Sequence, residues 1–149
     1  TRAILQGSPI DVYNHGEMKR DFTFIDDIVK SMVKLIFLPP VPGCPSRAHF
    51  DISSPSQANC DISSPSHPPY GIYNIGNSEP VELNIFIETL ENLLGRKAVK
   101  NSLPMQPGDV PATYADIEPL TLKTGFRPGT SIQEGLGAFV SWYRKYYGQ

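Results

Sequence analysis

Apolar residues recur at helical spacing in three separate stretches of the chain. A spacing of three and four residues places them on one face of a helix, which can then be buried. We therefore predict helices over residues 26–38 and 83–94, and a final helix from residue 131. The three apolar stripes are Ile28, Val29, Met32, Val33, Ile36 and Phe37; Leu83, Phe86, Ile87, Leu90, Leu93 and Leu94; and Ile132, Leu136, Phe139, Val140 and Tyr143.

Polar and conformationally special residues mark the ends of these helices. Asp26-Asp27 places two carboxylates at the start of the first helix, where the helix dipole favours negative charge. Pro39-Pro40 ends that helix, and Gly95 ends the second. Ser131 and Glu134 fit a capping box at the start of the third.

Weaker signals predict two shorter helices. Residues 1–6 are typical of the last turns of a helix that ends at Gly7, and Asp116 can cap a helix that runs to Thr124, with Gly125 beyond it. Because no capping residue precedes the first of these helices, we expect the chain to be a fragment of a longer protein.

Short runs rich in β-branched and aromatic residues lie between the helices. They predict strands over residues 9–13, 22–25 and 71–76, and a weak strand at 98–99. Asn14-His15-Gly16 provides turn chemistry after the first strand. Strands that alternate with helices indicate the α/β or α+β class.

Proline and serine are concentrated in one segment. Residues 39–69 hold 8 of the 15 prolines and 7 serines, which predicts a long irregular loop in which the duplicated DISSPS is a local repeat. Four side chains in this loop can bind metals, but their spacing matches no familiar zinc pattern, so we expect no metal site. They are Cys44, His49, Cys60 and His67.

Charge and composition exclude several classes of partner. A net charge of −2 gives no electrostatic reason to expect nucleic acid or an anionic membrane. The longest apolar stretch, residues 28–38, is interrupted by two lysines and is shorter than the ~20 residues that span a bilayer. Two cysteines without CxxC spacing favour a reducing compartment, so we expect a cytoplasmic protein.

The usual catalytic signatures are absent from the sequence. No glycine-rich loop follows a predicted strand, and no tyrosine has a lysine four residues later, so neither half of dinucleotide redox chemistry is present. GxSxG, HExxH and CxxC are absent as well. We therefore expect no catalytic residue in the 149 residues.

Two polar clusters remain as candidate binding sites. Within residues 14–21, Arg20 lies just ahead of a predicted strand, where its guanidinium either clasps a phosphate or belongs to a charged hairpin tip. Within residues 106–111, Asp109 lies on a loop stiffened by two prolines. Its carboxylate either accepts hydrogen bonds from sugar hydroxyls or closes its own turn.

Four segments of the chain together resemble one enzyme family. They are HGEMKRDFTFIDDIV at 15–29, YNIGNSEPVEL at 73–83, LPMQPGDVPATYAD at 103–116 and GFRPGTSIQEGLGAFVSWYRKYY at 125–147. In this order they are similar to the carboxyl-terminal part of UDP-glucuronate 4-epimerases, members of the extended short-chain dehydrogenase/reductase family. The resemblance covers nearly the whole chain outside residues 39–69.

The resemblance implies an α/β fold, with residues 1–149 forming the nucleotide-sugar-binding, carboxyl-terminal part of an NAD(P)-binding Rossmann-fold enzyme. It also implies an absent amino-terminal half that holds NAD, carries the catalytic residues and forms a homodimer. The implied reaction interconverts UDP-glucuronate and UDP-galacturonate through a 4-keto intermediate. A related decarboxylase or dehydratase, and a catalytically incompetent binding fragment, remain alternatives.

Residue roles follow from the resemblance position by position. Arg20 matches the arginine that contacts the diphosphate, and Asp109 matches the carboxylate at the uridine ribose. Asp11 and Tyr13 belong to the strand whose backbone lies along the uracil. Gln106 occupies a position where related hexose epimerases have a second phosphate-binding arginine. The resemblance further implies that the helix from residue 26 and the strand at residue 72 pack against the absent half and are exposed without it.

Overall fold

The computed structural model describes residues 1–40 and 71–148. The four metal-capable side chains of the proline-rich and serine-rich segment lie outside these described residues, as does nearly all of that segment. Within the described residues, no helix combines the length and the apolar character needed to cross a membrane.

Five helices, four short strands and one 3-10 turn make up the described structure. In chain order they are α1 (Arg2–Gln6), β1 (Pro9–Tyr13), the 3-10 turn (Asn14–Gly16), β2 (Lys19–Asp21), α2 (Ile25–Ile36), β3 (Pro80–Glu82), α3 (Leu83–Leu94), β4 (Val99–Leu103), α4 (Glu118–Thr124) and α5 (Ile132–Tyr147).

The strands form two separate pairs. β1 and β4 run parallel, with Asp11 opposite Asn101, whereas β2 and β3 run antiparallel, with Arg20 opposite Val81. The segment after β4 returns to β2, since the Lys19 amide donates to a carbonyl in that segment. β2 therefore lies between residues that come from very different parts of the sequence.

The hydrophobic core lies where α1, α3 and α5 meet. The apolar stripes predicted for α3 and α5 supply most of it, and α1 adds one fully buried side chain. Its buried members are Ile4, Leu90, Leu94, Leu136 and Val140. Burial of these faces is the main favourable contribution to holding the three helices together.

A buried carboxylate ties the end of α3 to the start of β4. Glu91 accepts hydrogen bonds from the Lys97 ammonium at 2.7 Å and from the Ala98 amide at 3.0 Å. The ammonium of Lys97, followed by that amide, outweighs the effect of burial and lowers the pKa of Glu91 below its ordinary value of 4.5.

A second buried carboxylate ties α2 to the segment before α5. Asp27 accepts hydrogen bonds from the amides of Gly129 and Thr130, at 3.2 and 2.9 Å. Burial favours the neutral acid, but the hydrogen bonds from Thr130 and Gly129 outweigh it, so the pKa of Asp27 lies below its ordinary value of 3.8. The sequence indicated only a dipole interaction for this residue.

The apolar face of α2 is exposed, whereas those of α3 and α5 contribute to the core. The exposed fraction reaches 70% at Ile36 and 77% at Phe37, and Ile72 is 65% exposed. The expected exposure of both regions is confirmed. That they pack against another part of a longer protein stays a prediction. The exposed apolar residues of this helix and its end are Ile25, Val29, Met32, Val33, Ile36 and Phe37.

Two predicted strands are wrong. Residues 22–25 have high β-propensity, but the strand that forms lies directly before them, at Lys19–Asp21, and α2 begins at Ile25. Residues 71–76 stay outside the sheets, and the strand in this region is Pro80–Glu82. Propensity reports side-chain shape, whereas a strand also needs a partner with free backbone groups.

Two other predictions need smaller corrections. The weak strand at 98–99 is a full strand, Val99–Leu103, because β1 pairs along its whole length. The helix expected from Asp116 begins at Glu118, although the Asp116 carboxylate accepts the Glu118 amide at 3.0 Å. The capping box of α5 is confirmed.

Replacing Glu91 by glutamine should lower the free energy of unfolding by about 1–3 kcal/mol, because a buried, charge-assisted set of hydrogen bonds is lost. Chemical denaturation measures the change. Glu88→Gln, on the exposed side of the same helix, is the matched control and should change it by less than about 0.5 kcal/mol. Equal losses in the two variants would contradict the role assigned to Glu91.

Stability should also fall in acid. The lowered pKa values of Glu91 and Asp27 mean that their contributions are complete above the ordinary values of 4.5 and 3.8 and are lost as the pH falls through the lower folded-state values. Glu91→Gln should therefore flatten the decline of unfolding free energy below about pH 4.5. A decline as steep as that of the unsubstituted protein would contradict this assignment.

Candidate functional site

The candidate site lies where the two parallel strands end. The carboxyl ends of parallel strands meet at one edge, and Tyr13 of β1 is opposite Leu103 of β4 at this edge. The two segments that leave this edge carry both polar clusters of the sequence. Ligands of α/β proteins commonly bind outside such strand ends.

An unusual turn leads from β1 to β2. Asn14, His15 and Gly16 all have positive φ angles, of 48°, 51° and 81°. Asparagine, histidine and glycine tolerate this region better than most residues. A side chain at Gly16 would have its Cβ 2.1 Å from the Asn84 amide oxygen, so position 16 requires glycine for two reasons.

A second turn presents Asp109. The Asp109 amide donates to the Gln106 carbonyl at 3.2 Å, with Pro107 and Gly108 between them. Gly108 has a φ of 85°, and proline followed by a glycine of positive φ is typical of a type II turn. The Val110 amide then donates to Asp109 Oδ1 at 2.9 Å, which fixes that carboxylate further.

The two polar clusters meet in an ion pair. Arg20 Nη2 lies 2.6 Å from Asp109 Oδ1, and each side chain is 27% exposed. The arginine also donates from Nη1 to the Lys19 carbonyl at 2.9 Å and from Nη2 to the Met18 sulfur at 3.5 Å. Within the described residues, its Nε–H and the second Nη1 hydrogen have no acceptor, so the guanidinium retains two free donors.

The other candidate residues lie near the same strands, but no described side-chain hydrogen bond joins them to the ion pair. Asp11 is exposed and accepts a hydrogen bond from Asn101 across the β1–β4 pair at 2.9 Å. Tyr13 is half-buried at the strand end, and the Gln106 side chain is exposed. The structure therefore brings the side chains of Arg20 and Asp109 together. Asp11 and Tyr13 remain on β1, and Gln106 remains in the turn that carries Asp109.

Asp21 is the important residue that the sequence interpretation missed. Its carboxylate accepts three backbone hydrogen bonds: Asn77 at 2.9 Å, Ser78 at 3.0 Å and Ala115 at 3.0 Å. These amides belong to the segments before β3 and before α4. One side chain next to Arg20 thus fixes the position of β2 between two remote segments.

A glycine makes this convergence possible. A Cβ at Gly76 would lie 2.4 Å from that of Ala115 and 2.6 Å from Asp21 Oδ2. Gly76 and Asp21 both occur inside the segments that resemble the epimerase family, but no spacing rule links them. Residues so far apart in sequence give no local signal of contact.

Two common kinds of ligand-binding feature are absent from the described residues. No glycine loop there joins a strand to the start of a helix as phosphate binding requires. The same residues contain no group of three or more His, Cys, Asp or Glu side chains that could hold a metal.

No family model matches the chain. Among curated proteins it is 46% identical to protein CapI of Staphylococcus aureus over 99% of this chain and 41% of that protein. It is 44% identical to a probable UDP-glucuronate 4-epimerase of Rhizobium meliloti (strain 1021), over 97% of this chain and 40% of that protein. The chain therefore spans about two fifths of the length of these relatives.

Solved structures give the same result. A crystal structure of UDP-glucuronic acid 4-epimerase from Bacillus cereus, in complex with UDP-glucuronic acid and NAD, superposes with a TM-score of 0.70 and 25% identity. The match covers 98% of this chain and 38% of that chain. The chain is homologous to one part of the UDP-glucuronate 4-epimerases. The predicted family resemblance and α/β fold are confirmed.

Substitution of Gly76 by alanine should destabilise this epimerase homologue by about 1–3 kcal/mol, because the new methyl group overlaps Ala115 and the Asp21 carboxylate. Thermal or chemical unfolding measures the effect. Gly137→Ala in α5 is the control: its Cβ meets nothing within 4 Å, and alanine favours helix. A neutral Gly76→Ala variant would contradict the close approach.

Proposed function

We propose that this chain is the nucleotide-sugar-binding part of an NAD-dependent UDP-glucuronate 4-epimerase. In this proposal Arg20 binds the diphosphate and Asp109 binds the ribose of the uridine. The rest of the protein holds NAD and the catalytic groups, and forms the homodimer. We also propose that the protein is cytoplasmic.

The observation that supports the proposal most is the Arg20–Asp109 ion pair. The two residues are 89 positions apart, in two different motifs, yet they meet at 2.6 Å beside the ends of parallel strands. If Arg20 only belonged to a charged hairpin tip and Asp109 only closed its own turn, the two side chains would not need to be in contact. A cation and a hydrogen-bond acceptor side by side match the phosphate and sugar of a nucleotide.

The arginine is suited to a phosphate. A planar guanidinium binds two phosphate oxygens at once through adjacent N–H groups, and each such pair includes Nη2, which here donates to Asp109 and to the Met18 sulfur. A charge-assisted hydrogen bond of this kind contributes about 1.5–3 kcal/mol, which corresponds to about ten- to a hundredfold in affinity. β2 holds the backbone of Arg20 in place because Asp21 fixes the adjacent position.

The remaining candidates have supporting roles in the proposal. The backbone of β1 at Asp11 and Tyr13 lies along the uracil, and Gln106 supplies a neutral polar group where a second arginine would add charge. Gln106 is exposed and lies in the turn that carries Asp109. The phosphate contact therefore depends mainly on Arg20.

The contribution of these residues to epimerisation is positional. NAD, when bound by the rest of the protein, supplies reversible oxidation at the 4-position of the sugar. The keto sugar must then turn over while its nucleotide stays fixed. Arg20 and Asp109 hold the nucleotide at its diphosphate and ribose, so the sugar can present its opposite face without dissociating.

The full-length protein that contains this chain should interconvert UDP-glucuronate and UDP-galacturonate. NMR of the products distinguishes this reaction from that of a decarboxylase or dehydratase, because epimerisation keeps the carboxylate and every oxygen. A product that has lost carbon dioxide or water would favour one of those two enzymes. No turnover together with UDP binding would favour a binding fragment.

Arg20→Ala should weaken UDP binding by the full-length protein at least tenfold, because the charge-assisted phosphate contact is lost. Isothermal titration calorimetry measures it. Arg127→Ala removes the same charge from an exposed position and should leave the affinity within about twofold. Equal effects of the two substitutions would remove Arg20 from the phosphate site.

A further inference from the structure

We propose that the Arg20–Asp109 ion pair is a selectivity device for ligands that carry both a diphosphate and a vicinal diol. This inference rests on the proposed function and deepens it. Separating the two side chains costs least when the ligand supplies a new partner for each of them. A nucleoside diphosphate does so, whereas an inorganic anion does not.

The site pairs one positive charge with one negative charge. Arg20 Nη2 and Asp109 Oδ1 lie at hydrogen-bond distance, and each side chain is about three-quarters shielded from solvent. An anion that approaches the arginine therefore meets the carboxylate as well. At such short range the two negative charges repel each other, which lowers the affinity for a ligand that is only an anion.

Asp109 is held close to the arginine by its own turn. The Val110 amide donates to the same Oδ1 that accepts from Arg20, and the Asp109 amide closes the turn onto Gln106. If a phosphate displaces the carboxylate from the guanidinium, the carboxylate stays in the site. Without a new donor it keeps only the Val110 amide and loses its cationic partner in a partly buried place, which is costly.

A ribose removes this cost. Asp109 Oδ2 accepts no hydrogen bond from the described residues, so it is free to accept one sugar hydroxyl while Oδ1, released by Arg20, accepts a second. Two vicinal hydroxyls match the two oxygens of a carboxylate. The phosphate and the diol then exchange partners with the ion pair, and no charge is left without a partner.

A simpler role for Asp109 makes the opposite prediction. If the carboxylate only orients the guanidinium, its removal weakens the binding of every anion. If it makes the site selective, its removal strengthens the binding of a plain anion. The sign of the change in affinity for inorganic pyrophosphate therefore decides between the two roles.

The test compares UDP with inorganic pyrophosphate by calorimetry on the full-length protein. Asp109→Asn should bind pyrophosphate about tenfold more tightly than the unsubstituted protein, while UDP binding stays the same or weakens, so that the ratio of the two affinities falls at least tenfold. Asp26→Asn, which removes one exposed negative charge elsewhere, should leave the ratio unchanged. Unchanged or weaker pyrophosphate binding by Asp109→Asn would overturn the proposal.

A second measurement needs no variant. The unsubstituted protein should bind 2′,3′-dideoxyuridine diphosphate at least tenfold more weakly than UDP, because this ligand leaves Asp109 without its new donors. Equal affinities would also overturn the selectivity role. The Arg20→Ala variant tests the proposed function separately. If this variant loses UDP binding but Asp109→Asn does not bind pyrophosphate more tightly, only the present inference fails.

Discussion

One carboxylate, that of Asp21, holds the candidate site together. It gathers three backbone amides from two segments that are far apart in sequence, and no other single side chain described here connects so many of them. Partly buried backbone amides need an acceptor, so these hydrogen bonds are costly to lose. The position of every β2 side chain, including that of Arg20, depends on these hydrogen bonds to Asp21.

Alternation along β2 explains how one short strand both anchors two remote segments and presents Arg20 to Asp109. Successive side chains of a strand point to opposite faces, so Arg20 and Asp21 face different surroundings. Asp21 faces the returning backbone segments, and Arg20 faces the turn that carries Asp109. The strand Lys19–Asp21 thus supplies both the anchoring carboxylate and the arginine of the ion pair, from different side chains.

The sequence was informative wherever the signal is local. Helical periodicity predicted α2, α3 and α5, and Ser131 with Glu134 marked the start of α5 to the residue. The strands were harder, because Phe22 and Ile72 have strand-like neighbours but no pairing strand in the described structure. At the site, the motifs indicated Arg20 and Asp109 separately, while their meeting depends on a fold that brings positions 89 apart into contact.

The left-handed turn at Asn14–Gly16 limits how this region can diversify. Three consecutive residues in a sparsely allowed conformation accept few amino acids, and the last of them strongly favours glycine. Random mutagenesis across the neighbourhood would therefore return variants at Lys19 or Gln106 much more often than at Gly16. A library intended to alter ligand choice would best leave this bend untouched and vary the surfaces on either side of it.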